Sequence, residues 1–153
     1  MLAQNVIDTE WEENVFKPDV IKEMNGVPVA IIGQAFPYTP IANPRYLIPD
    51  WSFGIREDKM QQTVDAARAA GAQVVVLLSH NGMDVDLKLA SRVHGIDAIL
   101  GGHTHDAVPE AIKIKNSCGI TLVINSGSTS KYPSALDVDL RYGKLQGYRY
   151  KLL

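Results

Sequence analysis

The 153-residue chain has a single cysteine, Cys118, which excludes an intramolecular disulfide framework and any metal site built on several thiolates. It also lacks a long hydrophobic run. The longest, such as Val74–Leu78, fall far short of the ~20 apolar residues of a membrane-spanning helix. Neither sign of charge dominates, with 15 Lys and Arg against 17 Asp and Glu and a net charge of −2. No nucleic-acid surface and no basic membrane-binding face is therefore expected. The start, Met1-Leu2-Ala3-Gln4-Asn5, has no basic segment and no apolar stretch of ~7–15 residues, so it does not read as a secretory signal. A complete protein of this kind is expected in the cytoplasm, whereas in a piece of a longer protein the missing signal carries no meaning. What is present, 46% hydrophobic and 21% charged residues, suits one globular domain.

The pattern along the chain is mixed. Val20–Met24 and Val27–Ile32 flank Asn25-Gly26, and this spacing predicts a hairpin. Gly33–Trp51 contains Pro37, Pro40, Pro44 and Pro49, which argues for a long loop without regular helix or strand. Its aromatics, Phe36, Tyr38, Tyr46 and Trp51, either line a cleft or pin a surface excursion. From Arg56 to Ala70 the residues Met60, Val64, Ala67 and Ala70 fall on one helical face, with Gly71 as the stop. Gln73–Leu78 reads as a strand buried on both faces. A helix from an Asp84 cap to Val93 follows, then strands over Ala98–Leu100 and Ile120–Asn125. Alternation over Ala135–Leu140 and Leu145–Lys151 predicts a second hairpin around Tyr142-Gly143-Lys144. The order predicts an α/β fold, a sandwich with a mixed sheet.

Three of the four histidines stand directly after predicted buried strands: His80, and the pair His103 and His105. The crevice beyond the carboxyl ends of such strands is the usual ligand site of an α/β sheet. In an extended His-X-His segment both rings point the same way. Two imidazoles aimed at one point, with a third from the next strand, make a metal site plausible; structural or solvent-facing histidines are the alternative. His94, at a helix end before Gly95, reads as structural. Asp84 reads as a cap and Asp86 as a solvated helix residue. Asp106 is placed to orient a ligand from behind. Asn81 either contacts substrate or holds its turn. Arg45 and Arg56 border the proline-rich loop and could meet an anionic group, though exposed arginines are usually only solvated.

Ser79-His80-Asn81-Gly82 followed by Gly101-Gly102-His103-Thr104-His105 resembles the C-terminal half of the calcineurin-like metallophosphoesterase domain of 5′-nucleotidases. Longer stretches are similar to the SoxB family of thiosulfohydrolases within that group: Leu78–Val93, Gly102–Pro109, Gly33–Pro44 and Leu2–Asn5. The resemblance covers essentially the whole chain and implies a partial αββα domain, residues 1–153 being the C-terminal half of a catalytic domain. It implies two metal ions, manganese or another divalent cation, with His80 and His103 on one and His105 on the other. Asn81, Asp106 and Arg45 are its candidates for substrate contact or support. The implied substrate is a cysteine S-thiosulfonate on the carrier SoxYZ, from which sulfate is released, and the implied compartment is the periplasm.

The family's upstream motifs, which supply a bridging carboxylate, further ligands and a catalytic histidine, are absent. The parent protein is expected to be a metal-dependent hydrolase and this chain alone to be inactive or nearly so, with its catalytic residue unidentified. A 5′-nucleotidase-type metallophosphoesterase and a non-catalytic metal- or carrier-binding fragment are the alternatives. An excised half-domain would expose apolar surface, so a homodimer is expected.

Overall fold

The computed structural model describes residues 1–129, 131–141 and 143–153. A short strand β1 (Ile7–Asp8) comes first, followed by β2 (Asp19–Met24) and β3 (Val27–Gln34). The last two pair antiparallel around Asn25 and Gly26, whose φ values of 51° and 79° are the left-handed pair a two-residue turn needs. The proline-rich stretch is not wholly irregular. It holds one helical turn, α1 (Thr39–Ala42), a 3-10 turn (Arg45–Leu47) and β4 (Trp51–Ser52), which pairs with β1. Pro40 sits in the first turn of α1, where its missing N–H has no partner to lose.

Helix α2 (Glu57–Ala69), strand β5 (Val74–Ser79), helix α3 (Met83–Arg92) and strand β6 (Ala98–Gly101) then alternate. Strands β7 (Ile112–Asn116) and β8 (Gly119–Asn125) complete a six-stranded sheet of order β2-β3-β5-β6-β8-β7. Its four central strands run parallel, and both edges are antiparallel. Both helices pack on one face. Met60, Val64 and Ala67 of α2 and Leu89 and Ala90 of α3 bury against Ile32, Val75, Leu77, Ile99 and Val123.

The expectation that β5 is buried on both faces holds in part. Val75 and Leu77 are fully buried beneath the helices; on the other face Val74 is buried, Val76 half-buried and Leu78 44% exposed. Only one face carries helices. The opposite face looks across a groove of about 780 Å³ at Leu136, Val138 and Leu140. Those residues belong to β9 (Ser134–Arg141), which pairs with β10 (Lys144–Leu152) in a separate two-stranded sheet with an irregularity at Gly147. Tyr142, part of the expected turn, lies outside the described residues. Helix α3 begins earlier than its sequence suggests, with Gly82 and not Asp84 as its N-cap.

The first residues are not a tail. Ala3, Gln4, Asn5 and Val6 are buried, and the Gln4 N–H donates to the Gly33 carbonyl at 2.9 Å. A Cβ on Gly33 would lie 2.2 Å from the Leu2 carbonyl oxygen, so only glycine lets the N-terminal segment cross β3.

Candidate metal centre

Three adjacent parallel strands each deliver a ring to the same end of the sheet. His80 follows β5, His103 follows β6, and Phe36 follows β3. The His80 and His103 ring centroids are 5.2 Å apart, edge to face. Phe36 stacks on His103 at 3.9 Å and meets His80 edge-on at 6.2 Å. Gly102 packs tightly here, since a Cβ would lie 3.2 Å from His80 Nδ1 and the ring would have to give by a few tenths of an ångström. This is the crevice beyond the strand ends where open α/β sheets bind ligands.

The segment from His103 to His105 is not extended, contrary to the expectation from its sequence. His103 has φ 79° and His105 φ 59°, both left-handed, so the alternation of an extended strand does not apply. Such conformations are costly for non-glycine residues and cluster at functional sites. The structure brings His80 and His103 together. His105 is exposed and, among the described residues, makes no ring contact with either. Between the two histidines, Thr104 Oγ1 accepts from the Met83 N–H at 3.1 Å and donates to the Asp106 carboxylate. Asp106 therefore fixes Thr104 and, through it, the start of α3.

Asn81 is buried, and its amide is engaged inside the protein. It accepts from Gln34 Nε2 at 3.1 Å and donates to Asp86 Oδ1 at 3.1 Å. These bonds tie the turn that carries His80 to both β3 and α3. Asp86, expected in solvent, is fully buried; Ser79 Oγ donates to its Oδ1 at 2.6 Å. The network continues through Gln34 to Gln4, whose Nε2 donates to Gln34 Oε1 at 2.6 Å. Asn5 grips the Ala35 and Gly54 carbonyls at 2.8 Å each. Gln4, Asn5 and Gln34 lie in the family-like stretches Leu2–Asn5 and Gly33–Pro44, but no spacing or pattern marks them as one buried network. For Asp86 a signal exists: it shares the stripe of Leu89, Ala90 and Val93 at helical spacing. Arg45 is exposed on the 3-10 turn. Arg56 is tied down, donating to the Asn5 carbonyl at 3.3 Å and to Ser52 Oγ at 2.7 Å.

Burial lowers the His80 pKa, and the neighbouring His103 and His105 lower it further. A neutral imidazole at neutral pH is the form that offers a lone pair to a metal. Burial acts oppositely on Asp86, pushing its carboxyl up to about 6 against the pull of Ser79 and Asn81. The two imidazoles fit two positions of a metal's coordination shell, not a whole shell. Among the described residues no three His, Cys, Asp or Glu side chains stand together to hold a cation.

No known family profile matches the chain. Solved structures do. Over 99% of this chain it is 35% identical to the sulfate thiohydrolase SoxB of Thermus thermophilus, with a TM-score of 0.90, and it covers 27% of that protein. A 5′-nucleotidase precursor, also from Thermus thermophilus, is 30% identical over 99% of the chain, with a TM-score of 0.85 and 33% of its own length covered. The calcineurin-like phosphoesterase YfkN of Bacillus subtilis, 24% identical with a TM-score of 0.82 over 99% of this chain and 54% of its own, shares the fold. The chain thus spans about a quarter to a third of SoxB and the nucleotidase. Its architecture is the α/β fold of the calcineurin-like phosphoesterases and 5′-nucleotidases, and its sequence resembles both SoxB and a 5′-nucleotidase along nearly its whole length.

Proposed function

We propose that this chain is the C-terminal half of the catalytic domain of a metal-dependent hydrolase that releases sulfate from a cysteine S-thiosulfonate. The observation that carries this reading is the 35% identity to a sulfate thiohydrolase across 99% of the chain. The convergence of His80 and His103 at the strand ends supports it. His80 and His103 would hold one cation, and His105 would serve a second in company with donors from elsewhere in the parent protein. When bound, two divalent cations, manganese foremost, supply hydroxide near neutral pH and neutralise charge on the transferred group. Phe36, stacked on His103, shields one face of that ring from water. Arg45 is the candidate for meeting the sulfonate. Hydrolysis adds water at the sulfonate sulfur and breaks the terminal S–S bond; sulfate leaves, and the sulfane sulfur stays on the carrier.

The proposed partner is a SoxYZ-type carrier, the proposed compartment is the periplasm, and the isolated chain is proposed to dimerise. No helix among the described residues is long and apolar enough to cross a membrane. A second reading, a 5′-nucleotidase-type phosphoesterase, is favoured by the 30% identity to the nucleotidase precursor.

The test is an assay of the full-length parent, loaded with manganese, on a carrier peptide bearing a cysteine S-thiosulfonate and on a nucleoside 5′-monophosphate. Sulfate release is expected, with a loss of at least about a hundredfold in His80→Ala and His103→Ala, since even groups supporting metal ligands cost roughly 10–100-fold. Phosphate release alone would replace this reading with the nucleotidase. No turnover by a metal-loaded parent would leave a binding role only.

A further inference from the structure

Asp86 makes contacts that reach beyond its own helix. One carboxylate oxygen, Oδ1, takes hydrogen bonds from Ser79 Oγ and Asn81 Nδ2, the residues on either side of His80. Ser79 Oγ also accepts from the Asn81 N–H at 3.2 Å, which closes the turn on itself. From the other side, Gln34 holds the Asn81 amide oxygen. The backbone that carries His80 is thereby clamped to both α3 and β3. The His80 ring takes no part in these bonds, so it is placed through its neighbours.

The second oxygen, Asp86 Oδ2, is fully buried and has no partner among the described residues. Asn125 Nδ2, at the end of β8, is in the same condition. Both face one small region over Gly101. The point where a Cβ of residue 101 would sit is 2.8 Å from Asp86 Oδ2, 3.3 Å from the Ile124 carbonyl oxygen and 3.8 Å from Asn125 Nδ2. Two acceptors and one donor around a common region are the partner set of a buried water, which makes about three hydrogen bonds to groups otherwise unpaired. Glycine at 101 is then required by the room a side chain would take.

We propose that Asp86 positions the histidine pair, and that its Oδ2, together with Asn125 Nδ2, holds one buried water over Gly101. Through Asp86 the loop bearing His80 is tied to β8, and β6, which leads to His103, lies between. This deepens the reading of His80 and His103 as ligand-bearing, yet its geometry stands without a metal. The experiment is therefore made on the metal-free chain, so that a failure to bind metal and a failure of this positioning are distinguishable.

A high-resolution crystal structure of the chain is expected to show one water within hydrogen-bond distance of Asp86 Oδ2 and Asn125 Nδ2. Proton NMR is expected to show contacts between the His80 and His103 rings. Asn125→Ala removes the water's donor while leaving Ser79 and Asn81 their partner, and Gly101→Ala fills the water's space with a Cβ that also presses on Asp86 Oδ2. In both, hydrogen exchange of the Asn81 amide is expected to rise at least about tenfold while the methyl shifts of Val75 and Ile99 stay unchanged. Asp86→Asn, which keeps the shape, is expected to weaken the ring-to-ring contacts. A direct Asn125–Asp86 hydrogen bond with no water, or ring contacts unchanged in Asp86→Asn, would overturn the proposal. If Asp86→Asn does not fold, the other two variants carry the test alone: unchanged Asn81 exchange in both overturns it.

Discussion

Burial in the core holds Asp86 protonated to an unusually high pH, its carboxyl titrating at about 6 rather than near 3.8. Because the folded state keeps a proton that the unfolded chain releases, stability contributed by this group is full below pH ~4. It is lost as the pH rises through 6. At 1.36 kcal/mol per unit, the loss is about 2–3 kcal/mol. His80 works in the opposite sense. Its lowered pKa means that the unfolded chain binds the proton more readily, so its contribution is present above pH ~6.5 and falls with acidification. The difference between wild type and Asp86→Asn isolates the first effect. Urea midpoints between pH 4 and 7 are expected to drop in wild type relative to the variant; parallel curves would show that Asp86 titrates elsewhere. Asp86 also marks where a residue-level reading fails. It looks like a charged helix position near Asp84, and its helical phase with Leu89 and Val93 is the clue to its burial.

At the scale of elements, the N-terminus of α3 depends on a neighbouring loop. Gly82 holds φ 96°, and a Cβ there would approach Thr104 Cγ2 to 2.9 Å. Gly82→Ala is expected to destabilise by roughly 1–3 kcal/mol, from left-handed strain and the displaced loop. It is also expected to blur the Thr104 cap on Met83, seen as faster exchange of that amide. A loss under about 0.5 kcal/mol by urea denaturation would refute the close approach. The elements themselves are largely legible. The Asn25-Gly26 turn and alternating residues mark the hairpins, unbroken apolar runs mark β5, β6 and β8, and the period of 3.6 marks both long helices, all to within a residue or two. Strand β7 escapes a sequence reading although Ile112-Lys113-Ile114-Lys115 alternates, because two isoleucines are too short an apolar pattern to stand out from the loop around them. Left-handed backbone at His103 and His105 leaves no periodic mark. The single-residue loop contacts, such as Thr104 on Met83, arise only once distant segments meet.

For the whole molecule, the uneven covering of the sheet decides solution behaviour. Helices bury one face, while Leu78 and Val138 remain 44% and 38% exposed around the opposite groove. Apolar surface of this kind drives association. Sedimentation equilibrium of the isolated chain is expected to give a dimer that dissociates on dilution. Leu78→Lys combined with Val138→Lys is expected to leave a monomer. A monomer mass at all concentrations in wild type would end that expectation.

The crossing of the N-terminal segment over β3 has a consequence in time. As the chain leaves a ribosome, Gln4 and Asn5 emerge before the groups that satisfy them. The Gly33 carbonyl must appear to receive the Gln4 N–H, Gly54 to receive the Asn5 amide, and Asn81 to complete the line through Gln34. Gln4 and Asn5 therefore acquire their place only after the segment through Asn81 has been made to receive them.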